Sequence, residues 1–154
     1  MNEQTIQQFW HRHPCGESQV AGLKLPQPAE NGFVEAPAED YEAFFERYDA
    51  FRYSRESHIP KRLDAIDFVG KRVLEIGLGQ GADSEQIIRR GAVWSGVDMT
   101  SESIRRVSTR LRLRGLPHQR LECASALAMP FPADSFDIVF SHGVLHHIPE
   151  ITAA

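Results

Sequence analysis

"VLEIGLGQGADS", residues 73–84, runs from an apolar stretch into an acid, Glu75, and then into three glycines at alternate positions. A short, nearly unbroken apolar run reads as a parallel strand covered on both faces, so KRVLEI (71–76) is the first strand. The glycines mark a turn where φ must be positive or where something must come close to the backbone. A helix follows from about Ala82 to Arg90, and Gly91 stands where a C-terminal glycine cap belongs. The alternation then repeats. AVWSGVD (92–98) is a second strand, and Thr100 or Ser101 caps a helix in which Ile104, Val107 and Leu111 share a face. Gly115 and Pro117 stop that helix, HQRLEC (118–123) is a third strand, PFPADS (130–135) a turn and FDIVFS (136–141) a fourth strand. Strand–helix–strand alternation means an α/β fold with a doubly wound parallel sheet.

Between the first strand and its helix the glycines have separable tasks. Gly77 allows the tight turn, Gly79 lets a ligand approach the backbone, and Gly81 lets helix and strand pack closely. The free N–H groups of the helix start face the same ligand. Asp98 ends the second strand, where an acid takes two ribose hydroxyls in charge-assisted hydrogen bonds. Dinucleotides and S-adenosylmethionine both use such a loop, and Gly77, Gly79 and Ala82 also fit the G-x-G-x-x-A form of dehydrogenases. Glu75 discriminates. A carboxylate two residues before the first glycine repels a pyrophosphate, whereas the α-ammonium and sulfonium of S-adenosylmethionine would pair with it.

VLEIGLGQG, GVDMTSESI and LAMPFPADSFDIVFSHGVLHHIPE together resemble the class I S-adenosylmethionine-dependent methyltransferases, in particular the type-11 methyltransferase-domain group. The resemblance spans about Gly70 to Glu150 and implies a Rossmann-like sheet. By resemblance, Glu75, Gly77, Gly79 and Gly81 cradle the methionine part of S-adenosyl-L-methionine, Asp98 holds the ribose and Met99 packs on adenine. Ser141, His142 and Gly143 line the methionine end. In the family an acid in a Gly-Asp-Ala block receives the adenine amino group. Here Ala124-Ser125-Ala126 stands in its place, so Ser125 and Ala126 are the matching positions and the charge is missing. The family's sheet has seven strands in the order 3-2-1-4-5-7-6. Four of them, in the order 3-2-1-4, are legible here, which leads to the expectation of an incomplete domain that methylates poorly alone or self-associates through its fourth strand.

Residues 70–154 are read as the cofactor-binding domain and 1–69 as an N-terminal arm with helices. In the arm, Pro14, Pro26, Pro28 and Pro37 interrupt any long element, a short helix is expected at Glu3–Trp10, and another at Pro60–Ile66. Tyr41, Phe44, Phe45, Tyr48 and Phe51 form one aromatic stripe at helical spacing, a core-facing surface. FWHRHPCG and FFERYDAFRY also look like an N-terminal extension of some family members, which puts this arm over the pocket as a partial lid.

Three further patterns are read as structure. His146 and His147 are adjacent, so a helix cannot turn both to one ion, and no residue is assigned as general base. His11, His13 and Cys15 alternate but are broken by Pro14, and no metal is expected. Arg105, Arg106, Arg110, Arg112 and Arg114 are placed on a solvated helix face, because no aromatics interleave them for base stacking. A net charge of −4 argues against a general nucleic-acid binder, and no run approaches the length of a membrane span. Two cysteines without a secretory signal point to the cytoplasm. The reading is therefore a methyltransferase acting on an unidentified acceptor, a small molecule rather than nucleic acid. The alternatives are a non-catalytic adenosyl-ligand binding module or degenerate partner subunit, and third an NAD-dependent oxidoreductase. Asp98 is expected to serve the ligand with little part in folding stability.

Overall fold

Val73 and Leu74 are buried in β1 (Arg72–Ile76), which lies inside the sheet with a parallel neighbour on each side. The structure, a computed structural model, describes residues 2–16 and 36–148. β1 pairs with β2 (Val93–Asp98) on one side and with β4 (Ile138–Ser141) on the other, and β2 pairs with β3 (Arg120–Cys123). The sheet is all parallel, as the alternation of apolar runs and helical stretches predicts, and its order β3-β2-β1-β4 is the one the family resemblance implies. Ile76 lies beside Val97 and Ser141, so the loops leaving β1, β2 and β4 share one edge of the sheet.

The helices obey local rules. α4 (Ala82–Arg89) ends as Gly91 turns left-handed at φ +88°, and α5 (Ser101–Leu113) starts at Thr100, whose hydroxyl accepts from the Ser103 N–H at 3.3 Å. α1 (Glu3–Arg12) runs two residues further than expected, and α3 (His58–Asp64) begins two residues earlier than Pro60. α2 (Ala38–Arg55) buries Tyr41, Phe44, Phe45 and Tyr48, and Phe51 is half-buried. Pro26 and Pro28 of the arm, and the helix expected to follow His147, lie outside the described residues; His147 itself ends a short 3-10 turn at Leu145–His147.

The arginines of α5 overturn one expectation. Only Arg112 is on an open face; Arg106 and Arg110 are 0% exposed. Val107 and Leu111 pack toward the sheet as predicted, but α2 covers a second face of α5 and presents aromatic rings to it. The Arg110 guanidinium lies 4.9 Å from the Phe45 ring centroid and Arg106 lies 5.8 Å from that of Phe44. Arg110 donates to Glu85 Oε2 at 2.8 Å, to Asp49 Oδ2, and to the Gln80 carbonyl at 3.3 Å. Arg106 donates to Glu102 and to Gln80 Oε1. A planar, weakly hydrated guanidinium can be buried when its N–H groups find such acceptors and its face a ring. Apart from Glu102, the acceptors come from α2, α4 and the glycine loop, so the helical wheel of α5 alone does not reveal them.

Removing one partner of a buried ion network leaves the others desolvated and uncompensated. Arg110→Ala should therefore lower the unfolding free energy by about 3–5 kcal/mol, measured by urea denaturation. Arg112→Ala on the open face should change it by less than about 0.5 kcal/mol. Equal, small effects would show that water already reaches the Arg110 pocket.

Candidate functional site

A cavity of about 260 Å³ opens at the carboxyl ends of β1, β2 and β4, where a doubly wound sheet offers a crevice. Its near wall is the glycine loop. Gly77 has φ +78°, and a Cβ there would fall 2.2 Å from Val144 Cγ2, so this glycine also lets the segment after β4 lie against the loop. A Cβ on Gly79 would meet only Cys15 Cβ, at 3.8 Å, which leaves its backbone approachable from the cavity. Gly81 does not line the cavity. A Cβ there would come within 3.1 Å of Val107, so it is needed for α4 to approach α5 rather than the strand.

Asp98 closes the end of β2 and is 8% exposed. Its Oδ2 accepts from the Leu78 N–H at 2.8 Å, and its Oδ1 from the Thr100 N–H and hydroxyl, each at 2.8 Å. One carboxylate thus shapes the glycine loop and the start of α5. This corrects the expectation that Asp98 has little part in stability: buried amides depend on it. Met99, Ala124 and Ala126 line an apolar slot beyond it. Ser125 is not among the cavity walls; its hydroxyl donates to Glu3 and accepts from the Leu127 N–H at 3.0 Å. Ser141 also stands outside, donating to the Ile76 carbonyl at 3.0 Å, while His142 and Gly143 line the cavity.

At the opposite end Glu75 is 2% exposed and accepts from the Trp94 indole N–H at 2.9 Å. Burial first, and then the neighbouring Asp83 carboxylate, push its pKa up to about 8, against the opposing effects of the Trp94 hydrogen bond and Arg52. Glu75 therefore holds a proton at neutral pH. Arg52 of α2 reaches the same end. It grips Asp83 with two nitrogens, Nε at 3.2 Å from Oδ1 and a terminal nitrogen at 2.5 Å from Oδ2, and it pairs with Glu56 at 2.8 Å. His142 Nδ1 lies 3.2 Å from it, and the Tyr53 hydroxyl donates to Asp83 at 3.0 Å.

Sequence reasoning missed Arg52 and Asp83. Arg52 belongs to a helix whose aromatic stripe reads as core, and only the tertiary fold brings it 31 positions along the chain to Asp83. The arm behaves as a cover. Ile6 and Trp10 of α1 and Cys15 line the cavity, Gln7 Nε2 donates to the Met99 carbonyl at 2.6 Å, and Gln80 Nε2 donates to the Cys15 carbonyl at 3.0 Å. Trp10 meets His147 edge-on with ring centroids 5.2 Å apart. No group of three or more His, Cys, Asp and Glu side chains that could hold a metal ion is found among the described residues.

The family model described as "Methyltransferase domain" matches residues 73–154. A ubiquinone biosynthesis O-methyltransferase of Neisseria meningitidis is 36% identical over 101 residues, covering 61% of this chain and 42% of that protein. A malonyl-[acyl-carrier protein] O-methyltransferase of Halorhodospira halophila is 31% identical over 119 residues, covering 74% of this chain and 40% of that protein. The chain thus spans less than half the length of these curated relatives. The crystal structure of the [4+2]-cyclase SpnF shares the fold with a TM-score of 0.66 at 19% identity, over 99% of this chain and 53% of that one.

The titration of Glu75 has a definite sign. Its carboxyl keeps a proton to about pH 8 in the folded chain and loses it near 4.5 when unfolded. Between those values the folded state binds the extra proton, so stability from this group falls as pH rises through the window. Glu75→Gln, which mimics the protonated form, should gain thermal stability over the parent progressively from about pH 5.5 to about pH 8. A stability difference that stays flat across that range would show Glu75 to be ionised at neutral pH.

Proposed function

The chain belongs to the methyltransferase-domain family, and from that premise we propose that its crevice binds S-adenosyl-L-methionine and directs the sulfonium methyl to a small-molecule acceptor. The observation that carries this reading is the order of groups along the cavity. The strand order sets it: Glu75 lies on β1 and Arg52 beside His142 after β4, Asp98 ends β2 between β1 and β3, and Ala124 and Ala126 follow β3 on the other side, with Met99 next to Asp98. An amino-acid zwitterion, a ribose and a purine have that same order. Glu75 takes the α-ammonium, Arg52 the α-carboxylate and the free lone pairs of Asp98 the ribose hydroxyls. The Gly77 and Gly79 backbone lies along the ligand, Met99 and Ala126 flank the base, and His142 and Gly143 border the methionine end. Gly81, Ser125 and Ser141 act by positioning their neighbours.

The cofactor's sulfonium supplies the activated methyl. The chain's residues hold the donor in line with the acceptor and exclude water beneath α1. Both curated relatives are named O-methyltransferases, which favours an oxygen acceptor. The reading places the protein in the cytoplasm, on its two free cysteines, Cys15 and Cys123; no described helix is long and apolar enough to cross a membrane. β4 has no partner on its outer side among the described residues and Val139 is 61% exposed, so we include pairing with a second copy there. Light scattering that shows a monomer at every concentration would remove that part.

Calorimetry with S-adenosylhomocysteine tests the main reading. The ligand should bind more tightly at about pH 8 than at about pH 6, because its ammonium favours ionised Glu75 and binding expels that proton. NAD should not compete at about pH 8 and above, where Glu75 is ionised and its carboxylate would face the pyrophosphate. Asp98→Asn should weaken binding at least about tenfold and lower the melting temperature as well, because an NH2 donor replaces one of the two oxygens that accept from Leu78 and from Thr100. Failure of S-adenosylhomocysteine to bind, or NAD binding in its place, would overturn the proposal.

A further inference from the structure

Among the described residues, the sheet domain places no carboxylate at the base end of the crevice beyond Asp98. Asp98 is engaged by Leu78 and Thr100 and faces the middle of the cavity. Ser125 stands at the slot, but its oxygen already accepts from Leu127 and its proton goes to a carboxylate. That carboxylate is Glu3, 122 residues away in the chain, and Glu3 lines the cavity.

Glu3 is held there by several contacts. Asn2 caps α1 by accepting from the Thr5 N–H at 2.9 Å, so the first turn that carries Glu3 is formed. One turn on, Gln7 donates to the carbonyl of Met99, the residue that floors the slot. Ser125 binds one oxygen of Glu3, Oε1. An ionised carboxylate has about four acceptor positions and no donor. It therefore leaves acceptor capacity at a slot whose other walls, Met99, Ala124 and Ala126, present apolar side chains. A carboxylate at the edge of such a slot favours a base that offers N–H and disfavours one that offers a carbonyl oxygen.

We propose that Glu3 reads the base: it accepts a hydrogen bond from the exocyclic amino group of adenine, so that the lid helix carries the adenine specificity. This rests on the adenosyl reading of the cavity given above. It makes closure of α1 and recognition of the base one event, because the acceptor arrives only with the helix.

The test compares S-adenosylhomocysteine with S-inosylhomocysteine, in which a carbonyl oxygen replaces the amino group, by calorimetry on the full chain. The parent should prefer the adenosyl ligand by about tenfold or more. In Glu3→Gln, whose amide can donate to a carbonyl, the two should bind within about threefold of each other. Ser125→Asp placed in a Glu3→Ala background should restore the preference. Gln7→Ala, which loosens the docking of α1, should weaken both ligands alike and leave their ratio unchanged, an outcome that separates base reading from mere lid attachment. A ratio that Glu3→Gln does not move, while S-adenosylhomocysteine still binds the parent, would refute the role of Glu3 alone. No binding of S-adenosylhomocysteine to the parent would refute both this inference and the adenosyl reading.

Discussion

The Asp98 carboxylate is the joint on which the site turns. A single side chain at the end of β2 accepts from the loop after β1 and from the first turn before α5. Two crossings of the sheet therefore end in a common position. The loop cannot move without losing an acceptor for a buried amide, and a ligand that touches Asp98 meets a group already held from two sides. Preorganisation of this kind is what allows a short glycine-rich turn to act as a binding surface.

The helices reinforce the same arrangement from behind. Gln80, within the glycine loop, gives its carbonyl to Arg110 and its side-chain oxygen to Arg106, and its amide nitrogen reaches the Cys15 carbonyl in the arm. The buried arginines of α5 thus lie under the loop, with α2 laid over them as an aromatic cover. Arg52 leaves the same α2 and enters the cavity against Asp83, the second residue of α4. The packing of α2 and the charge at the Glu75 end of the crevice are two consequences of one helix docking.

Charge in the crevice is arranged along its length. Burial and the neighbouring Asp83 carboxylate keep Glu75 protonated at neutral pH, so the two acids do not stand side by side as a pair of negative charges. Arg52 is the neutralising partner of Asp83. At the far end Glu3 stands beside Ser125, so the acid absent from the loop after β3 is present on α1. The cavity is bounded by acidic groups at both ends, with Asp98 and apolar and backbone surface between them.

Much of this was legible in the chain. The order 3-2-1-4 comes from the family resemblance, while the four strands, the caps at Thr100 and Gly91 and the aromatic face of α2 follow from local periodicity and turn chemistry, which depend on near neighbours. So do Glu75, the glycines and Asp98, because the loop that bears on the ligand is continuous with the strand that ends in it. What only the tertiary structure decided are the pairings between distant segments. A helical wheel sends Arg106 and Arg110 to solvent, since nothing within α5 says that a second helix will cover it. Ser125 reads as an acceptor in its own loop and becomes a donor once Glu3 lies beside it. Arg52 reads as one more polar residue in an aromatic helix until α2 packs on α4. Periodicity records which residues share a face of one element; what that face meets, and hence whether a charge is buried, paired or free to bind, is set when the elements come together.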